Sequence, residues 1–275
     1  MNRRRRTDLL IDLGLGIFGL LMLTPLIMLV ANAFKTPEEM LSWPPTLIPR
    51  DPTLDNLTSV LNETPLLSWI GNSLAFALLS TLAIVATSGI AGYIVAKFPF
   101  RTINIVFALF LATAIVPFEV YMIPLYFQVK QLGLLNTVPG LLVGYLVMSF
   151  GIFLIRQNVL ASIPDELIEA ARIDGGGEMW IFWHIVLPLL RGPLAALAVL
   201  AFFQAWTAFA WPMIVATKRS AYTIEVGLAL FQTGYTVDLG RLSAASACVL
   251  VPSVLAFVLL RRNFVQGVAA TGMKE

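Results

Sequence analysis

The sequence predicts an all-α integral membrane protein with six transmembrane helices and one further helix in a cytoplasmic loop. Three observations carry that expectation. Of 275 residues, 58% are hydrophobic and only 12% are charged, with a mean hydropathy of +0.84. Soluble domains carry roughly 25% charged residues to cover an aqueous surface, so most of this surface faces lipid or other helices. The charges divide the chain into six apolar stretches, each close to the roughly 20 residues that cross about 30 Å of hydrocarbon. One connection between stretches is also far longer than a linker requires. A soluble enzyme is excluded. The single cysteine, Cys248, forms no internal disulfide, and His184 is the only histidine, so zinc and redox centres are not expected. No basic run beyond Arg3–Arg6 could neutralise a row of phosphates, so nucleic acid is not an expected partner.

The spans are expected at about 11–34, 69–96, 102–127, 138–156, 192–216 and 242–260, in a single domain covering 1–275. The second stretch falls short of the roughly forty residues that two crossings need. It reads as one helix from about Trp69 to Ala96 after an interfacial Pro65-Leu66-Leu67-Ser68. Near the N-terminus, Arg3–Arg6, an apolar run and Ala31-Asn32-Ala33 imitate a secretory signal and its cleavage site. Signal cores run about 7–15 residues, so an uncleaved first helix fits better. Gly14, Gly16, Gly19, Gly89 and Gly92 are expected at close helix contacts, and His184 and Cys248 at packing positions.

Basic residues stay in the cytoplasm during insertion. With the N-terminus inside, twelve of the eighteen Lys and Arg residues are cytoplasmic and six external, so both termini are expected in the cytoplasm. The outer segments are then 35–68, a turn near 130–137, and 218–241. Pro37, Pro44, Pro45, Pro49 and Pro52 mark the first as extended chain with at most a short helix.

Cytoplasmic residues 158–188 exceed the two to eight that usually join neighbouring helices. Ser162-Ile163-Pro164-Asp165 has the spacing of a capping-box variant, and Gly175-Gly176-Gly177 ends helix propensity. The enclosed helix is too short to hold itself in water. Leu167, Ala170, Ala171 and Ile173 form its apolar side, and Glu166 and Glu169 its acidic rim. A helix lying on anionic headgroups would carry basic residues there, so the acidic rim fits a second protein.

Glu169-Ala170-Ala171, three residues, Gly175, nine residues and Ile185-Val186-Leu187-Pro188 resemble the EAA motif of permease subunits of binding-protein-dependent ABC importers. The flanking Ser162–Leu167, with Ile123-Pro124-Leu125-Tyr126, Leu132–Thr137 and Phe264-Val265-Gln266-Gly267, is similar to the carbohydrate branch, the maltose and glycerol-3-phosphate type. The resemblance implies a type I importer transmembrane domain in a prokaryotic cytoplasmic (inner) membrane. It implies a second permease subunit, two ATPase subunits, an extracytoplasmic solute-binding protein and a sugar-like substrate. It further implies ATPase coupling through Glu166, Glu169, Ala170, Ala171, Asp174, Gly175, Leu187 and Pro188, with ATP and Mg on the partner ATPase and no cofactor on this chain. Two places depart from the pattern: Trp206-Thr207-Ala208, where relatives carry an amide or acid, and the tail Thr271–Glu275.

No lysine follows a glycine, so the chain holds no P-loop. A self-contained secondary transporter or channel is the alternative. It would want ionisable residues mid-membrane, and only Glu119 and Asp12 are candidates. Glu119 lies between Pro117 and Pro124. In a straight helix from Ile103 it sits about 24 Å along the axis, near the outer interface, where it could face either water or a pore. Tyr145, Gln204, Trp206, Trp211 and Asn72 are the further candidates for a sugar path, since rings stack on pyranose faces and amides match hydroxyls. Each could instead be an interfacial residue, and for Trp211 that reading is favoured.

Overall fold

The computed structural model describes residues 3–98, 102–232 and 236–272. Helices α1 (Arg3–Asn32), α2 (Pro37–Met40), α3 (Asp55–Glu63) and α4 (Leu66–Lys97) are followed by α5 (Ile103–Thr113), α6 (Phe118–Gln131), α7 (Val138–Leu142) and α8 (Ser149–Ser162). Then come α9 (Asp165–Ile173), α10 (Glu178–Ile181), a π-helical turn at Phe182–Val186 and α11 (Leu187–Leu189). The last are α12 (Arg191–Trp206), α13 (Ala210–Val215), α14 (Ile224–Ala229) and α15 (Leu239–Gly272). Among the described residues the only β pairing is an isolated bridge between Gln232 and Val237.

Three helical segments, Ile11–Asn32, Leu66–Lys97 and Leu239–Ala256, are long and apolar enough to cross a bilayer unaided. Three further spans emerge only if bent pairs are counted as one crossing each: α5 with α6 at 96°, the α7 segment Val138–Tyr145 with α8 at 54°, and Glu178–Leu189 with α12 at 79°. The span expected over 102–127, broken at the prolines that flank Glu119, is two helices meeting at 96°. Ala114–Val116 leave helical geometry ahead of Pro117, which cannot donate to the ladder and disfavours α conformation before it. The 138–156 stretch breaks at Leu146–Met148, and the 192–216 stretch at Thr207–Phe209. Helix α4 begins at Leu66, inside the segment expected to lie at the interface.

The chain divides into two compact units. One comprises Met1–Leu67 and Gly227–Val254. Its segment 35–65 is more ordered than the prolines imply and holds the nine-residue α3 as well as α2. Lys35 is buried there, its Nζ donating to Asn32 Oδ1 (2.9 Å) and to the Thr46 carbonyl. Asn56 Nδ2 donates to the Lys35 carbonyl (2.8 Å), and a β-carbon on Gly240 would strike the Asn56 side chain. The Thr46 hydroxyl donates to Glu39 (2.7 Å) and holds that carboxyl below its ordinary range.

The other unit, Ser68–Val226 with Leu255–Glu275, contains a hydrophobic cluster centred on Ile84, Tyr93, Ile155, Val159, Ile181, Val186 and Leu197. It joins α4, α8, the π-helical segment and α12. Gly92 is where α4 meets α8: a β-carbon there would sit 2.8 Å from Ile155 Cβ and 3.0 Å from the Arg156 nitrogen. Gly89 meets only Leu194 and Phe182, at 3.7 and 3.8 Å. The expected close contact holds for these two glycines. Gly14, Gly16 and Gly19 have nothing within 4 Å in this chain. His184 is exposed, stacked on Trp180 at 4.7 Å, and so is not an interior packing residue. Gly92→Val is expected to destabilise the protein by about 1–3 kcal/mol, since Ile155 is fully buried and cannot step aside, while Gly89→Ala is nearly neutral. Thermal unfolding of the purified variants in detergent reads the difference.

Candidate functional site

Helix α9 presents the first candidate site. Its expected hydroxyl cap does not form: Ser162 is the last residue of α8, and Pro164 occupies the N-cap without a side-chain bond. Proline has fixed the approach, and a lysine from another helix does the tethering. Lys97, the last residue of α4, is almost buried, and its Nζ donates to the Ile163 carbonyl (2.6 Å) and pairs with Asp165. At the other end, Arg172 Nε donates to Glu178 Oε1 (2.7 Å), while Tyr93 Oη donates to Glu178 Oε2 (3.3 Å). The hydrogen-bonded Glu178 carboxylate pushes the Arg172 guanidinium above its ordinary value. Helix α4 thus reaches both ends of α9, through Lys97 and through Tyr93.

The C-terminus of α9 closes as a Schellman motif. Gly176 N–H donates to the Ala171 carbonyl (2.9 Å) and Gly175 N–H to that of Arg172 (3.0 Å). Gly175 has φ +86°, a left-handed conformation in which a side chain is strained. The inward face is Ile168 and Ala171, both buried against the core cluster. Ala171 therefore belongs to the anchored side, not to the free apolar side assigned from sequence. Glu166, Leu167, Glu169, Ala170, Ile173, Asp174 and Gly175 remain exposed. Leu167, Ala170, Asp174 and Gly175 form one bank of a groove of about 440 Å³, with Trp180 and Ile185 on the other. Leu187 and Pro188 lie in α11, beyond the π-helical turn, and Leu187 packs against the core cluster; neither lines the groove.

The second candidate site is a cavity of about 520 Å³ at the three helix breaks. Its lining takes in Thr113, Glu119, Tyr121, Tyr145, Ser149, Gln204, Thr207 and Trp211, so four of the six residues considered for a path, Glu119, Tyr145, Gln204 and Trp211, come together. The 96° bend removes the basis for counting Glu119 along a straight axis, since it lies in the first turn of α6 beside the break. Backbone groups freed at the breaks find partners. Thr87 Oγ1 donates to the Leu146 carbonyl (3.1 Å) and Trp211 Nε1 to that of Leu141 (2.9 Å), while Thr207 Oγ1 adds a second bond to the Phe203 carbonyl (2.8 Å), which already accepts from the Thr207 N–H. Thr113 Oγ1 and Ser149 Oγ lie 2.8 Å apart across the breaks of two spans. Phe118 stands edge-on to Trp211 (5.8 Å) and Tyr121 (5.0 Å). Trp211 is 1% exposed, a core residue at the cavity and not an interfacial one.

Two predicted path residues stand elsewhere. Trp206 is buried and stacked on Phe202 (5.7 Å), and Asn72 Nδ2 donates to the carbonyls of Ser220 (2.9 Å) and Tyr222 (3.0 Å), tying the segment between α13 and α14 to α4. Neither lines the cavity.

Residues 88–269 match the family model described as the binding-protein-dependent transport system inner membrane component. This chain belongs to that family. It is a multi-pass inner-membrane permease subunit of an ABC importer, and the EAA-type segment that suggested as much falls within the matched residues. The permease is similar to the arabinooligosaccharides transport system permease protein AraQ of Halalkalibacterium halodurans, at 33% identity over 96% of each chain. It is 32% identical to the sn-glycerol-3-phosphate transport system permease protein UgpE of Yersinia pseudotuberculosis, over 97% of this chain and 98% of that one. It is 31% identical to the lactose transport system permease protein LacG of Rhizobium radiobacter, over 96% of each. Its fold matches a chain in the crystal structure of a bacterial ABC transporter involved in the import of the acidic polysaccharide alginate, with TM-score 0.78 and 22% identity over 96% of this chain and 99% of that one.

Sequence reasoning passed over Lys97, Ile168 and Trp180 at the first site and Thr113, Tyr121 and Ser149 at the second. Lys97 was visible as the lone cation ending an apolar run, but its partner lies 68 residues away. In the permease, Lys97→Met is expected to speed amide exchange across 163–173 by about tenfold or more, because the tether of α9 is lost while the core cluster stays. Asp165→Asn, which spares the bond to the Ile163 carbonyl, has a smaller effect. Hydrogen exchange read by mass spectrometry separates the two.

Proposed function

We propose that this permease forms, with a second permease subunit, the path by which a sugar or sugar derivative enters the cell, and that α9 couples the path to a separate ATPase. The observation that carries the reading is an acidic, small-residue face on a helix tethered at both ends to α4. Alone, nine residues would not hold a helix in water. Tethered, they form a rigid peg whose outer face, Glu166, Glu169 and Ala170, is free for a partner. Two ATPase subunits carry ATP and Mg, and an extracytoplasmic solute-binding protein delivers the cargo to the outer segments. Both termini lie in the cytoplasm, as the twelve-to-six distribution of basic residues supports. The spans near 11–34, 69–96, 102–127, 138–156, 192–216 and 242–260 make one transmembrane domain, three of them bent. The carbohydrate class is supported by relatives whose names specify arabinooligosaccharides and lactose.

The path runs by the cavity at the three breaks. Interrupted helices are tolerated at membrane depth where they line a cavity, and transporters place solute sites there. Glu119, Tyr145 and Gln204 supply the carboxylate, ring and amide that hydrogen-bond and stack on a sugar.

Glu169→Lys is expected to leave insertion and assembly intact while ATP-driven uptake falls at least about tenfold, because the new ammonium repels a socket that accepts a carboxylate. Gly175→Val strains the left-handed turn and gives the same uncoupled phenotype with full-length chain in the membrane. Proteoliposomes holding the assembled complex report both uptake and receptor-stimulated ATP hydrolysis. Wild-type uptake by the Glu169→Lys complex would remove α9 from the coupling role.

A further inference from the structure

Resting on the permease reading above, we propose that the cavity at the three breaks is an electroneutral site for uncharged polyhydroxy solutes, and that Glu119 is the residue that keeps it from attracting anions. Glu119 is the one charged side chain among the described residues lining this cavity. The other polar side chains there are the hydroxyls of Thr113, Tyr121, Tyr145, Ser149 and Thr207, the amide of Gln204 and the Trp211 N–H, which is committed to the Leu141 carbonyl. Among the described lining residues there is no lysine, arginine or histidine, the groups that would hold a phosphate or a carboxylate.

The breaks add a second source of charge. Helices α6 and α8, fourteen residues each, both begin at this cavity, with Phe118 and Glu119 from one and Ser149 and Phe150 from the other in its lining. Their amino-terminal peptide groups face it unpaired by their own helices, and each such end is equivalent to roughly half a positive charge. Two ends together amount to about one unit, the arrangement by which interrupted helices attract anions. Glu119 stands in the first turn of α6 and supplies one full negative charge at the same place. The sum is close to zero. An uncharged sugar meets hydroxyls, an amide and ring edges and gives up little hydration, whereas a sugar phosphate or uronate finds the positive ends already balanced. Without the carboxylate, the same cavity becomes attractive to anions.

The test uses the assembled importer in proteoliposomes, with Cys248→Ser removing the native thiol and Thr207→Cys placing one on the cavity lining. Modification rates are measured with a neutral, an anionic and a cationic methanethiosulfonate. The neutral reagent is expected to react readily. Glu119→Gln is expected to raise the anionic-to-cationic rate ratio about tenfold or more, with Glu119→Asp leaving it near the parent value. An unchanged ratio in Glu119→Gln overturns the proposal, as does a thiol that the neutral reagent cannot reach. ATP-driven uptake of lactose and of glycerol 3-phosphate by the unsubstituted complex, each offered with a receptor preloaded with it, gives the second arm. Preference for lactose supports the proposal, and equal or greater delivery of the phosphate overturns it. Absence of ATP-driven uptake of any carbohydrate would instead remove the functional reading while leaving the thiol ratios as evidence about the cavity.

Discussion

The peptide group's demand for a hydrogen-bond partner governs this structure. In hydrocarbon an unpaired N–H or C=O costs several kcal/mol, so a spanning chain is helical wherever lipid surrounds it. Departures are confined to places where protein supplies partners. The break at Leu146–Met148 obeys this: Thr87 reaches the Leu146 carbonyl and Trp211 that of Leu141. Because the breaks must be sheltered together, they fall around one cavity. The polar lining of that cavity follows from the backbone requirement before any solute is considered.

The loop between α8 and α12 answers a different problem, that of holding a short helix. Helix α9 contributes only Ile168 and Ala171 to the core, too little apolar surface to fix it alone. Lys97 and the Tyr93–Glu178–Arg172 chain supply the rest. An exposed ion pair is worth little, but the Lys97 side chain is nearly buried and also satisfies a backbone carbonyl, which raises the consequence of losing it. The outcome is a recognition face fixed to a membrane helix at two points.

Much of this was legible in the sequence. Hydropathy marked the six apolar stretches, and the loop helix followed from Pro164 at one end and three glycines at the other, with Gly175 in the left-handed conformation that its position required. Glu119, Tyr145 and Gln204 were picked by chemistry and do meet. What the sequence concealed were features set by distant partners. Pro117 marked the break after Ala114–Val116, but the 96° size of the bend was not legible, because the residues there are as apolar as their neighbours. Ser162 has the spacing of a cap, yet α8 claims it. Asn72 and Trp206 carry the right chemistry for a sugar but are committed elsewhere, one to carbonyls of the outer segment and the other to a stacked ring.

The tether from Lys97 bears on how such subunits can be recombined. A loop whose shape were encoded locally could be exchanged between permeases as a cassette, carrying its ATPase preference with it. Here the segment from Ile163 to Gly176 depends on a side chain that arrives from α4, two crossings earlier than the one that leads into the loop, so the cassette's true boundary is discontinuous in the gene. Moving this loop intact into another permease therefore means transplanting Lys97 and the end of α4 together with it.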